Sequence, residues 1–232
     1  LLGPIQRTPD TEEVRKSANA LYEDNIRDMD RQVASVIAEL EKLKLREKTL
    51  VIFTGDNGTA LTFPSTIHSR MNHGKKASML EGGSRVPFIA SWPGTTPAGK
   101  VCKDIVSFAD PHATFVELAG GKLPDGMKFD GQSIAPQLHG ETGTPREYAY
   151  VQLGRNGFVR NEGFKMDQSG ALFDMSDAPF AEKPVPADAD TDASKAARSR
   201  LKTILAELNP AAGKSDGGGK RAGANKRKNR AK

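Results

Sequence analysis

Apolar positions over the first 45 residues recur with a helical spacing. The stripe consists of Tyr22, Ile26, Met29, Val33, Val36, Leu40 and Leu43. Positions three and four apart share one face of an α-helix, so the pattern predicts a long helix over residues 10–45 with one buried stripe. The acidic residues at 10–13 are typical of the first turn of such a helix.

A short apolar run follows this helix at residues 49–54 and ends at Gly55. Its β-branched residues predict a strand that is buried on both faces. Further strands are predicted at 86–90 and 105–108, followed by a helix over 110–118. A long helix that leads into a buried strand is typical of the αβ unit of an open, mostly parallel sheet.

The pattern changes from residue 147 onwards. Short apolar runs separated by turn residues predict a small antiparallel sheet. Residues 181–190 are rich in Pro, Ala and Asp and are predicted to form a linker. A last helix is predicted over 192–208, where Pro210 ends it.

Charge separates a third region, residues 211–232. This segment holds eight Lys or Arg and one acidic residue, whereas the whole chain has a formal charge of +5. Its low apolar content predicts a disordered tail. The chain is therefore divided into an α/β core over 1–146, a small antiparallel sheet with a terminal helix over 147–210, and the tail.

The most informative turn is Thr-Gly-Asp-Asn-Gly at residues 54–58, directly after the first predicted strand. Ligands of open α/β sheets bind at the carboxyl ends of strands. Asp56 and Asn57 would present neighbouring hard oxygen donors there, suited to Ca²⁺ or Mg²⁺. The same residue types also form plain turns, and these five residues alone leave both interpretations open.

A second informative segment runs from His73 to Pro87. It contains His-Gly-Lys-Lys at 73–76 and Glu-Gly-Gly-Ser-Arg-Val-Pro at 81–87. A lysine at a cleft can balance the charge of a tetrahedral anion, although a lysine pair can equally lie on a solvated surface. Glu81 and Arg85 are predicted to form a local ion pair that holds the glycine turn.

These two segments, in this order and spacing, resemble the second signature region of the type I sulfatases, which belong to the alkaline-phosphatase-like superfamily. The resemblance covers roughly residues 10–180. It implies an α/β fold: the carboxy-terminal part of an alkaline-phosphatase-like mixed sheet flanked by helices, with a small antiparallel sheet and a terminal helix.

The resemblance also implies roles for individual residues. Asp56 and Asn57 match the positions that bind the divalent cation, Ca²⁺ or alternatively Mg²⁺, and Asp56 would lie near the nucleophile. Lys76 matches the lysine that contacts the sulfate group, a catalytic and substrate-binding role. His73 directly precedes the Gly-Lys-Lys turn, where a substrate contact is expected.

The nucleophile of this family is a formylglycine, made from Cys or Ser in a Cys/Ser-x-Pro/Ala-x-Arg motif. Cys102 is followed by Lys-Asp-Ile-Val and does not fit, and no serine of the chain fits either. The formylglycine and the remaining metal ligands are expected upstream of Leu1. The chain is therefore interpreted as a fragment that alone does not hydrolyse sulfate esters.

The expected substrate is a sulfated small molecule or polysaccharide, with carbohydrate sulfate esters favoured by analogy. Two alternatives stay open: a phosphoester or phosphonate hydrolase with the same metal cradle, and a non-enzymatic polyanion-binding protein that uses the basic tail. The tail lacks the aromatic residues that stack on bases, so nucleic acid is not the expected partner. No apolar run approaches the ~20 residues of a membrane span. By family analogy the protein is expected in the periplasm or outside the cell.

Overall fold

The computed structural model describes residues 12–58, 66–67, 70–71, 76–208, 212 and 214. Helix α1 spans Glu12–Lys42, close to the predicted range. It ends because Lys44 adopts a left-handed backbone conformation (φ 56°). The N–H of Lys44 then donates to the Glu41 carbonyl oxygen and that of Leu45 to the Leu40 carbonyl oxygen, which satisfies the last turn of the helix.

The predicted burial of the α1 stripe is wrong for the described structure. Five of its seven residues are 38–57% exposed, and Val33 and Leu40 are only partly buried. A helical spacing identifies the residues that share a face, but it does not identify what covers that face. The apolar side of α1 therefore stays open to solvent in this chain.

Strand β1 (Val51–Thr54) pairs antiparallel with β4 (Phe88–Ser91), with Val51 opposite Ser91 and Thr54 opposite Phe88. All residues of β1 are half-buried, so the predicted burial on both faces is wrong for the described residues. No parallel strand pair occurs within the described ranges. Between these strands lie β2 (Thr66–Ile67), β3 (Arg70–Met71) and the short helix α2 (Glu81–Ser84). Residues 59–65, 68–69 and 72–75, on either side of β2 and β3, lie outside the described residues.

Helix α3 (Asp110–Leu118) forms as predicted, but the strand predicted at 105–108 does not form. The reason is local. The Asp110 carboxylate accepts the N–H of Ser107 at 2.7 Å, which bends this segment into the start of the helix. A one-turn helix, α4 (Ala135–Leu138), follows.

The small antiparallel sheet is present and contains five strands in sequential order. They are β5 (Ala149–Leu153), β6 (Asn156–Arg160), β7 (Phe164–Asp167), β8 (Leu172–Asp174) and β9 (Lys183–Val185). The last strand lies in the segment predicted to be a linker. Pro184 is compatible with a strand there because β9 is at the edge of the sheet.

Helix α5 spans Asp192–Leu208, as predicted, and covers one face of this sheet. Its residues Leu201 and Ile204 pack with Val159, Met166 and Leu172 of the strands in one buried cluster. This cluster is the main described core. The tail, apart from residues 212 and 214, lies outside the described residues, and the domain boundaries stay predictions.

Candidate functional site

The turn after β1 exposes its acidic residue. Asp56 is solvent-exposed and Asn57 is partly buried, and both follow directly from the end of the strand at Thr54. The position at a strand end is the one expected from the sequence. It leaves the carboxylate of Asp56 accessible to a ligand.

This turn contacts the Glu-Gly-Gly segment through glycine backbones. The N–H of Gly58 donates to the carbonyl oxygen of Gly83 at 3.1 Å. A Cβ added to Gly58 would lie 1.9 Å from the carbonyl oxygen of Gly82, far inside van der Waals contact. Only glycine at position 58 allows this approach. The two segments that were linked by sequence alone are thus adjacent in the structure.

Lys76 lies in an exposed turn shortly before α2. His73 lies outside the described residues, so its predicted substrate contact stays a prediction. The role of Lys76 in sulfate binding stays a prediction as well.

Glu81 is buried, although it lies in a polar, glycine-rich segment of the sequence. The predicted ion pair with Arg85 is present, with Nη1 3.4 Å from Glu81 Oε2. However, Glu81 is only 2% exposed, and its other oxygen lies 2.6 Å from Nη1 of Arg160 in β6. Arg85 is largely exposed, so Arg160 is the principal partner of this buried carboxylate.

A second buried ion pair lies beside the first. Lys165 of β7 is 3% exposed and its Nζ is 2.5 Å from Glu182 Oε2. The same Nζ donates to the Met79 carbonyl oxygen at 2.6 Å and lies 4.5 Å from the centre of the Phe158 ring. Glu182 in turn accepts the backbone N–H of Glu81 at 2.9 Å. The segment 79–81 is therefore held by Arg160 and Lys165 of the small sheet and by Glu182, directly before β9.

Sequence reasoning did not identify Arg160, Lys165 or Glu182. A signal was present for two of them, since Arg160 ends the apolar run of one predicted strand and Lys165 interrupts that of the next. A charged residue on a buried strand requires an opposite charge, because an unpaired buried charge costs several kcal/mol. The partners could not be identified from local sequence, since Glu81 lies 79 residues before Arg160 and Glu182 lies 17 residues after Lys165.

Arg70 is the first residue of the short strand β3. Its guanidinium is 2.9 Å from Asp177 Oδ2 and stacks 4.0 Å above the Phe180 ring. These contacts attach β3 to the segment after β8. They give Arg70 a structural role in the described chain.

The donor chemistry of the turn fits a divalent cation in part. Asp56 and Asn57 offer a carboxylate and a carboxamide oxygen, the ligands that Ca²⁺ prefers. Ca²⁺ takes six to eight oxygens, and the described residues contain no cluster of three or more His, Cys, Asp or Glu that could hold a metal. The two residues fit as members of a larger ligand set.

A crevice of about 140 Å³ opens beside the end of β1, bordered by Thr54, Arg85 and Phe108 among others. Ligand pockets for small molecules are typically about 300–1,000 Å³. The crevice is therefore too small to be a complete substrate site.

In the part of the chain that the structure covers, no helix combines the length and apolar character needed to cross a membrane.

Comparison with known proteins identifies relatives of this chain. The sulfatase family model matches residues 5–121, half of the chain. The chain is 35% identical over 149 residues to arylsulfatase D of Homo sapiens, covering 61% of this chain and 25% of the relative. It is 36% identical over 140 residues to N-acetylgalactosamine-6-sulfatase of Canis lupus familiaris, covering 59% and 26% of the two chains.

The solved structure of BT1596, a 2-O GAG sulfatase, superposes with a TM-score of 0.65 at 21% identity. The superposition covers 86% of this chain and 44% of that one. The chain spans about a quarter of the length of the curated relatives it matches. The match over residues 5–121 and the shared architecture show that this chain belongs to the sulfatase family and has its alkaline-phosphatase-like α/β fold.

Proposed function

We propose that this chain forms the part of a sulfuric ester hydrolase that holds the divalent cation and contacts the sulfate group. The observation that supports it is the contact between Gly58 and the Gly82–Gly83 backbone, which brings the Asp56–Asn57 turn against the segment that follows Lys76. Family membership supports the reaction class.

In this proposal each residue has a defined task. Asp56 and Asn57 bind Ca²⁺, or Mg²⁺, through their side-chain oxygens. When bound, the cation polarises the sulfate oxygens and favours ionisation of the attacking group. Lys76 balances negative charge on the sulfate, and His73 contacts the substrate. The formylglycine nucleophile and the other metal ligands come from outside the 232 residues of this chain.

Carbohydrate sulfate esters are the proposed substrates. The name of the 36% identical relative, N-acetylgalactosamine-6-sulfatase, supports a sugar sulfate, whereas that of arylsulfatase D does not specify one. A periplasmic or secreted location follows from the same family analogy.

The test combines calcium binding with turnover. Asp56→Ala and Asn57→Ala should each raise the calcium dissociation constant of the intact protein at least about tenfold, measured by titration calorimetry, because each removes an oxygen ligand. In the intact protein that also supplies the nucleophile, Lys76→Met should lower kcat/KM for an aryl sulfate by about 10²-fold or more, the typical cost of removing one stabilising donor.

Matched controls are Asp125→Ala and Lys48→Met, which change exposed residues of the same types. Unchanged calcium affinity in Asp56→Ala would contradict the metal assignment. A higher kcat/KM for an aryl phosphate than for the aryl sulfate would contradict the reaction class.

A further inference from the structure

Among the described residues, no hydrogen bond or ion pair given above joins a side chain of the proposed metal-binding turn to another part of the protein. Its described attachment is backbone contact between Gly58 and the Gly82–Gly83 pair. The position of Asp56 and Asn57 therefore depends on two supports: strand β1, which is paired with β4 up to Thr54, and the α2 turn.

The α2 turn is held by the small sheet. Glu81, the first residue of α2, reaches Arg160 at the end of β6 with its side chain, at 2.6 Å. Its backbone N–H donates to Glu182, which is itself bound to Lys165. Glu81 and Lys165 are buried and Arg160 and Glu182 are partly buried, and each of the four has an opposite charge beside it, so the cluster is neutral as a unit.

Arg160 has the most direct effect on the turn. Its Nε and Nη2 donate to the carbonyl oxygens of Asn161 and Glu162, which fixes the guanidinium on the β6–β7 hairpin. Its Nη1 is then aimed at Glu81. Without Arg160, the Glu81 carboxylate would keep only exposed Arg85, at 3.4 Å, and would be drawn towards solvent. Gly82 follows Glu81 directly, so the surface on which Gly58 rests would move with it.

We infer that Arg160, together with the Lys165–Glu182 pair, is a positioning residue for the metal-binding turn. An effect of Arg160 on metal binding and catalysis rests on the proposed function. The effect of Arg160 on the contact between Gly58 and the α2 turn does not. The small antiparallel sheet thereby acts on the proposed site through Glu81.

The test measures the Gly58 contact separately from metal binding. Arg160→Met keeps an unbranched apolar stem and removes the guanidinium, with its charge and its hydrogen-bond donors. Amide hydrogen exchange of Gly58, followed by NMR without metal, should accelerate at least about tenfold. The calcium dissociation constant should rise by a similar factor.

In Arg160→Lys, Gly58 exchange and calcium affinity should both lie much closer to those of the unsubstituted protein, because Glu81 again has a positively charged partner. The matched control is Arg198→Met. Arg198 forms a comparable ion pair with Asp190 and donates a hydrogen bond to the carbonyl oxygen of Val185. It should lower the melting temperature without changing Gly58 exchange or calcium affinity. This control separates positioning from a general loss of stability.

Two failures can be distinguished. If Gly58 exchange and calcium affinity are unchanged in Arg160→Met while Asp56→Ala loses calcium binding, the positioning role is wrong and the metal assignment stands. If Asp56→Ala does not affect calcium binding but Gly58 exchange accelerates in Arg160→Met, the positioning role stands and the metal assignment fails. If Arg160→Met does not fold, Glu182→Gln tests the same inference, since Glu182 accepts the N–H of Glu81. Exchange of the Glu81 and Gly58 amides should accelerate in this variant, and unchanged exchange would overturn the inference.

Discussion

Gly58 and Gly83 are joined by a hydrogen bond of 3.1 Å between their backbones, and no room exists for a side chain at Gly58. Gly58→Ala should therefore push the turn at 54–58, which is proposed to bind the metal, away from α2. The expected loss of stability is about 1–3 kcal/mol, the usual cost of overpacking, measured by urea denaturation. Calcium affinity should fall in the same variant, because Asp56 and Asn57 lie on the displaced turn.

Gly163→Ala is the control for this substitution. A Cβ at Gly163 meets nothing within 4 Å, and its backbone is outside the left-handed region. Its stability should stay within about 0.5 kcal/mol of the unsubstituted protein. Equal losses in the two variants would show that the close approach at Gly58 does not constrain the turn.

Local sequence was sufficient wherever an element is defined by its own residues. Helix α5 matches its predicted range because its apolar face and its acidic start are both local features. The hairpin strands of the small sheet were predicted from short apolar runs between turns for the same reason. The turn at 54–58 was singled out by its residue types, and the family resemblance that joined it to residues 73–87 is confirmed by the family match.

Features that depend on distant residues could not be predicted in this way. Strand β9 forms because β8 offers it a free edge, which a Pro-rich sequence does not reveal. The partners of Glu81 come from β6 and from the segment before β9, so only the local pair with Arg85 was predictable. The exposure of the α1 stripe depends on what covers it, which spacing alone cannot determine.

Arg146 should be among the most important residues for stability. It forms a buried ion pair with Asp110, with Nε 3.2 Å from Oδ2, and Asp110 is completely buried. Asp110 also accepts the backbone N–H groups of Ser107 and Gln132. Arg146→Met leaves this carboxylate buried without its cation, and the expected loss is about 3–5 kcal/mol by urea denaturation.

The comparison variant is Arg200→Met. Arg200 pairs with Glu147 at 2.5 Å, but about half of each side chain is exposed. Exposed pairs contribute little to stability, so this variant should unfold at nearly the same urea concentration as the unsubstituted protein. Similar midpoints for the two variants would contradict the importance assigned to burial at Asp110.

Acid should weaken the attachment of α5. The hydrogen bond from Arg198 is the main cause that lowers the pKa of the Asp190 carboxyl in the folded protein. A carboxyl whose pKa is lowered by folding stabilises the protein above its unfolded pKa of about 3.9, and this contribution is lost as the pH falls through the folded pKa. The melting temperature should therefore decline as the pH falls below about 4.

Asp190→Asn removes this titration and should make the decline shallower, while lowering the melting temperature at neutral pH. Arg198→Met should have the same effect on the slope, because it removes the cause of the lowered pKa. Thermal unfolding followed by circular dichroism from pH 2 to 7 measures both. A slope that is the same in all three proteins would show that the pair does not contribute to acid sensitivity.

Helices α1 and α5 offer a direct test of where the core lies. Both have apolar residues at helical spacing, yet Leu201 of α5 is 1% exposed whereas Val36 of α1 is 57% exposed. Leu201→Ala should cost about 2–5 kcal/mol of unfolding free energy, because it leaves a cavity among Val159, Met166 and Leu172. Val36→Ala should change it by no more than about 0.5 kcal/mol, since its side chain remains in contact with water. If Val36→Ala cost as much unfolding free energy as Leu201→Ala, the apolar face of α1 would have to be covered in solution. The buried stripe that the sequence predicts would then describe the protein better than the exposed helix of the structure.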